Sequence, residues 1–97
     1  MEYLAIGSVV TLMGIQKKAM IIGYQPQHRD DPSDKKDYIG VLFPEGFLDA
    51  ESFLLFDYTD IIDVVFNGYE NPESQTFMGL LRQISTEEKT EESQILE

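Results

Sequence analysis

The chain has 97 residues, enough for one domain and too few for several, and its 42% apolar and 11% aromatic content suffices to condense a core. Eighteen acidic against seven basic residues leave a net charge of −11, a field that repels phosphate backbones and anionic lipid, so nucleic acid and membrane surfaces are not expected as partners. The lack of cysteine removes disulfides, thiolate nucleophiles and sulfur-ligated zinc together.

A cysteine-free domain suits a reducing compartment. The first residues show no basic start followed by an apolar run, and no apolar run approaches the ~20 residues of a membrane-crossing helix. A cytoplasmic protein without membrane insertion is therefore expected.

In chain order, residues 8–13 (SVVTLM) are β-branched and bounded by Gly7 and Gly14, which predicts a strand. Residues 14–18 have hairpin length, and residues 19–24 (AMIIGY) resume as an antiparallel partner. On that second strand the period of two places Met20, Ile22 and Tyr24 on one face. Gly23, opposite them, marks a bulge or a close backbone approach. Residues 25–36 (QPQHRDDPSDKK) are polar throughout and predict an exposed loop. Residues 37–43 (DYIGVLF) are apolar on both faces, as an interior strand requires.

Pro44 stops that strand, and Phe43 to Gly46 fits a type I turn with Glu45 projecting into water. After the short connection 48–52, residues 53–56 (FLLF) predict a fourth strand and residues 57–60 a turn. In residues 61–67 (IIDVVFN) alternation puts Ile62, Val64 and Phe66 on one face and Ile61, Asp63 and Val65 on the other, wetter one. Asn71, Pro72 and Glu73 form a helix start, and Phe77, Leu80, Leu81 and Ile84 make one apolar stripe. Residues 86–97, with five glutamates, read as a disordered tail or frayed helix.

The expected fold is α+β, mainly β. It is a small five-stranded antiparallel sheet, strongly twisted or a partly open barrel, packed with one C-terminal helix over about 71–85. Residues 1–85 form the single domain, and the helix plugs or caps the sheet.

The titratable residues suggest little chemistry. His28 lies in the most polar loop, without the partner and pocket that a general acid or base needs. Asp30, Asp31 and Asp34 lack the alternating ligands, glycine and distal glutamate of a helix-loop-helix calcium site. Asp57, Asp60 and Asp63 read as turn-closing and solvent-facing carboxylates rather than an acid–base pair. No enzyme, metal or cofactor is expected.

Three blocks carry a resemblance: IGSVVTLMGIQKKAMIIGY, YIGVLFPEGF and FDYTDIIDVVFNGYENPES. They resemble the domain-of-unknown-function 4176 family of Gram-positive bacteria, through Gly7, Ser8 and Val9, through Tyr38, Pro44, Glu45 and Gly46, and through Asp60, Ile61, Val64, Gly68 and Tyr69. The polar loop at 25–36 departs from the family pattern. The resemblance implies an accessory protein of type VII secretion clusters, a cytoplasmic chaperone or adaptor that binds an LXG-type toxin encoded nearby.

The alternative is an immunity protein that neutralises a cognate toxin domain, where an acidic surface would suit a basic nuclease cleft. Contact with the partner, by strand addition or through the aromatic corner, is assigned to Tyr38, Phe43, Pro44, Glu45, Gly46, Phe47 and Tyr58. Burial frequencies nonetheless favour core packing for Phe43, Phe47, Phe53 and Tyr58. The sequence leaves room for a homo-oligomer.

Overall fold

The computed structural model describes residues 2–26 and 35–96, with side chains through residue 84. His28, Asp30, Asp31 and Asp34 lie outside the described residues. The chain divides into two compact units, Leu4–Tyr69 and Met1–Tyr3 with Glu70–Glu97.

The first unit holds the whole sheet: β1 (Val9–Leu12), β2 (Lys18–Tyr24), β3 (Tyr38–Phe43), β4 (Leu54–Phe56) and β5 (Ile61–Phe66), with a 3-10 turn at Tyr58–Asp60. The spatial order is β4-β3-β2-β1-β5 and every pairing is antiparallel. The expected open five-stranded antiparallel sheet is therefore present, as is the C-terminal helix.

The connectivity forces this sheet to curl. Its two edges, β4 and β5, are joined only through residues 57–60, most of them in a 3-10 turn that rises about 2 Å per residue. Such a link reaches roughly 10–12 Å. The edges of a flat five-stranded sheet, four spacings of ~4.8 Å apart, stand about 19 Å from each other. Bending the sheet brings them within reach without bonding them, so it is neither flat nor a closed barrel.

The concave face is the core. Val10, Ala19 and Ile21 are buried on it, and β3 and β4 add Tyr38 and Phe56, whose rings stack with centroids 5.6 Å apart. Val9 and Val41, on the other face, are buried as well, which agrees with the two-sided apolar character of the strands.

Two assignments of strand faces need correction, both because of bulges. The β2–β3 register slips between Ile21 and Gly23, so the bulge expected near Gly23 is present and Tyr24 pairs directly with Tyr38. This moves Tyr24 off the face of Met20 and Ile22 and onto the core face. A Cβ on Gly23 would stand 2.8 Å from Ile39 Cγ2, so the close neighbour of this glycine is a side chain rather than backbone.

On β5 the register with β1 slips twice, pairing Val9 with Phe66, Val10 with Val64, Thr11 with Asp63 and Leu12 with Ile61. Ile62 and Val65 are the extra residues, and simple alternation fails. Ile61 and Val64 share the face of Leu12 and Val10.

The second unit holds α1 (Pro72–Leu96). Its start is capped as predicted: Asn71 Oδ1 accepts the Ser74 N–H at 2.8 Å, and the Asn71 N–H donates to Ser74 Oγ at 2.8 Å. The helix runs past residue 85 through the stretch read as a tail. Glutamate, lysine and glutamine all have high helix propensity, and no glycine or proline follows Gly79. The predicted stripe is not covered as a stripe. Met78 and Leu81 are buried, whereas Phe77, Leu80 and Ile84 are each between 44% and 52% exposed.

Candidate partner-binding surface

The sheet delivers loops to two ends, and the candidate residues divide between them. Tyr38, at the start of β3, is fully buried. Its hydroxyl accepts the Leu4 N–H at 3.0 Å, and the Tyr24 hydroxyl donates to the Leu4 carbonyl, so two tyrosines hold the segment before β1 by both of its backbone groups. Tyr38 therefore leaves the binding set. A side chain with no exposed surface cannot meet a partner, and the alternation that faced it inward also lets it stack on Phe56.

The corner after β3 is the reverse. Gly46, at φ 74°, donates its N–H to the Leu42 carbonyl at 2.7 Å, one residue wider than the type I turn expected from Phe43. The Phe43–Pro44 peptide within this loop is cis. Phe43 is 45% exposed and Phe47 is 64% exposed, so the burial frequencies that favoured core packing do not hold at this corner. Phe47 lies against Phe53 with ring centroids 5.3 Å apart, and Leu48 beside it is exposed. The following connection is closed by its own polar groups, Asp49 N–H donating to Ser52 Oγ at 3.2 Å and Ser52 Oγ donating to the Asp49 carbonyl at 2.8 Å.

Glu45 does not project alone into water. Its carboxylate meets Lys17 Nζ at 2.6 Å, tying the corner to the β1–β2 hairpin. That hydrogen bond, helped by one from the loop backbone, holds the Glu45 carboxyl below its ordinary range. Lys18 pairs with Phe43 in the β2–β3 ladder, so hairpin and corner share one end of the sheet.

Met13 and Ile15 of the hairpin are exposed there, and they line a cavity of about 240 Å³ with Leu12, Leu54, Leu55 and Asp60. Nothing in the local pattern singles out Met13, Ile15 or Leu48. The available signal was large apolar side chains placed inside turns and loops, where nothing in the chain needs to bury them.

Tyr58 belongs elsewhere. It is half exposed, but its N–H donates to Asp37 Oδ2 at 2.9 Å at the start of β3, not to the corner. The carboxylates around it are spent on backbone. Asp57 Oδ1 accepts the Asp37 N–H at 3.1 Å, and Asp60 Oδ2 accepts the Asp57 N–H at 2.9 Å. Lys36 Nζ stands 3.7 Å from Asp57. Asp63 is exposed, and its N–H donates to Thr11 Oγ1 at 3.1 Å. The carboxylates of Asp37, Asp57 and Asp60 are thus engaged by backbone N–H groups, whereas that of Asp63 faces solvent.

In the helical unit, a second cavity of about 340 Å³ is lined by Glu2, Tyr3, Glu70, Gln75, Met78 and Arg82, with Arg82 Nη1 3.2 Å from Glu2. Its polar lining is the Arg82–Glu2 ion pair together with Tyr3, Glu70 and Gln75. Among the described residues, no group of three or more histidines, cysteines or acidic residues is gathered as a metal site, and no helix is long and apolar enough to cross a membrane.

The remaining motif residues meet each other. Ser8 is fully buried, and its Oγ accepts the Gly68 N–H at 2.9 Å. The segment after β5 that bears Gly68 runs so close to the residues before β1 that a Cβ there would lie 2.1 Å from the Ile6 carbonyl oxygen and 2.9 Å from the Ser8 N. The glycine-serine block near the amino terminus and the glycine-tyrosine block sixty residues later are thus two sides of one crossing.

The chain matches the family described as a domain of unknown function, DUF4176, over residues 3–77. It belongs to the DUF4176 family. The match takes in the crossing, the corner and β5 in one continuous span. Neither the curated proteins nor the solved structures gave a match to the chain.

Proposed function

We propose that this DUF4176 protein is a non-catalytic binding module, a cytoplasmic chaperone or adaptor that holds an LXG-type toxin before its export by type VII secretion. The observation that carries the reading is the exposed apolar side chains at one end of the sheet, Phe43, Phe47 and Leu48 on the corner and Met13 and Ile15 on the hairpin that Lys17–Glu45 ties to it. A monomer gains nothing by exposing this many large apolar groups together, and such patches mark contact sites for other proteins. The Lys17–Glu45 link fixes the two loops in register, so a partner would meet a largely preformed surface. The backbone hydrogen bonds that engage the Asp57 and Asp60 carboxylates argue against a hydrolase built on Asp57, Asp60 and Asp63.

The family resemblance supplies the toxin, the secretion route and the compartment. Co-expression with the toxin encoded beside the gene, followed by purification through a tag on either protein, is expected to give a stoichiometric complex. Failure to form a complex with any neighbouring gene product sinks the reading.

One observation favours the immunity role as the second reading. Residues 37–81 contain nine aspartates and glutamates and no lysine or arginine, an acidic stretch of chain suited to a basic catalytic cleft. Protection of cells from the intact toxin by this protein alone, with export unaffected, would select it.

A further inference from the structure

Among the described residues β5 is an edge strand, paired with β1 on one side only, and it is the most exposed apolar element of the sheet. Ile62, Val64, Val65 and Phe66 are between 41% and 62% exposed. Proteins usually protect such an edge with lysine, proline or a cover, because its free N–H and C=O groups otherwise recruit another strand. Here Ile61–Phe66 carries no lysine and no proline, and its one charge is Asp63. Its protection is two bulges, which set Ile62 and Val65 outside the one-to-one pairing with β1 and leave their apolar side chains exposed.

The charges nearby decide which strand this edge would accept. The stretch from Asp37 to Leu81, containing both sheet edges, has no basic residue of its own; Lys17 and Lys36 pair with its Glu45 and Asp57, and Lys18 lies across Thr11 from Asp63, while no cation pairs with Asp60 or Asp63 among the described ion pairs. A second copy joining edge to edge would bring two chains of charge −11 together, with Asp60 and Asp63 of each near their counterparts. A segment that alternates apolar residues with lysine or arginine meets no such repulsion. Its apolar side chains would cover those of β5 while its cations face the acidic border.

We infer that the free edge of β5 binds an extended, basic, alternating segment of the partner protein as a sixth strand. The inference rests on the reading of this protein as a binding module and adds a place, a geometry and a partner chemistry to it. Backbone hydrogen bonds supply the attachment, and alternate side chains and charge supply the selection.

The probe is a fluorescein-labelled ten-residue peptide alternating valine with lysine, titrated into the full chain and followed by anisotropy. Binding is expected to be saturable and several-fold weaker at high salt. Replacing the peptide's lysines by glutamate, or methylating alternate backbone nitrogens, should lower affinity at least tenfold. In the protein, Ile62→Lys with Val65→Lys should do the same, with circular dichroism and the thermal midpoint showing that the sheet is intact.

Equal binding of the lysine and glutamate peptides, or unchanged binding by the double variant, overturns the inference. So does a concentration-dependent dimer in sedimentation that the same double variant abolishes, since the edge would then belong to a second copy. Capture of the neighbouring toxin separates the two proposals. A double variant that still captures it removes the edge and leaves the binding module standing, whereas a wild-type protein that captures nothing removes the module itself.

Discussion

Ten consecutive residues, YIGVLFPEGF, begin inside the molecule and end outside it. Tyr38 has no exposed surface, stacks on Phe56 and accepts a backbone N–H, while Phe47 is 64% exposed and touches Phe53 at the rim. Both residues are large aromatics in the same family block. The difference is one of partners. Tyr38 sits opposite Tyr24 and Phe56 in a ladder that has strands on both sides, whereas the corner follows the point at which β3 runs out of neighbours. An aromatic residue in a shared motif can therefore belong either to the fold or to a contact, and position relative to the ladder separates the two.

The sharpest way to break that contrast is to remove the buried member. Tyr38→Ala should cost about 3–5 kcal/mol, as truncation of a buried aromatic does, a large share of the roughly 5–10 kcal/mol typical of a small domain. Urea denaturation of both proteins measures it. Tyr38→Phe keeps the ring but leaves the Leu4 N–H without its acceptor and should cost about 1–3 kcal/mol. A loss below 1 kcal/mol for Tyr38→Ala would mean that the core does not depend on this ring.

Next comes the crossing of the two glycine-bearing blocks. Gly68→Ala must push the Ile6 carbonyl and Ser8 apart, since no flexible side chain is available to yield, and about 3 kcal/mol of destabilisation is expected. Ser8→Ala leaves the Gly68 N–H without its acceptor in a half-buried site and should cost about 1–2 kcal/mol. Chemical denaturation ranks the pair, and a Ser8→Ala effect equal to that of Gly68→Ala would show that the hydrogen bond rather than the steric approach holds the crossing.

At the exposed end the expected pattern inverts. Phe47→Ser should change stability by no more than about 0.5 kcal/mol while weakening capture of the toxin at least tenfold. A substitution that lowers stability as much as Tyr38→Ala would return Phe47 to the core.

Much of this architecture was legible in the sequence. The strands, the hairpin, the capped helix start and the bulge near Gly23 follow from β-branched runs, glycine punctuation and the Asn71–Pro72 signal. What escaped were features that depend on neighbours rather than on local pattern. Alternation along residues 61–66 could not reveal two register slips, because a bulge is set by the strand opposite, and Ile62 and Val65 moved accordingly. Nor could composition tell Tyr38 from Phe47, since burial follows from strand order. The helical stripe at Phe77, Leu80 and Ile84 had the right period, yet Met78 was the residue buried beside Leu81. The partner surface was half legible: the corner was marked by Pro44 and Gly46, and its other half, Met13 and Ile15, becomes visible only when Lys17 meets Glu45.

That ion pair gives the smallest effect and the most specific one. The Glu45 carboxyl is held below its ordinary range by Lys17, so the folded protein binds a proton there less readily than the unfolded chain does. Its contribution is therefore fully present above the ordinary carboxylate range and is lost as pH falls through the lower, folded value. Both side chains are substantially solvated, so the effect on global stability is slight and screened by salt. The consequence lies in the loops rather than in the melting point. Glu45→Gln should leave stability nearly unchanged and loosen the corner from the hairpin at neutral pH, as acid would do to the wild type. Amide hydrogen exchange at Gly46 and Phe47 would report it. If exchange there is the same in wild type and variant, the corner is held by the Leu42–Gly46 hydrogen bond alone and the two loops do not act as one surface.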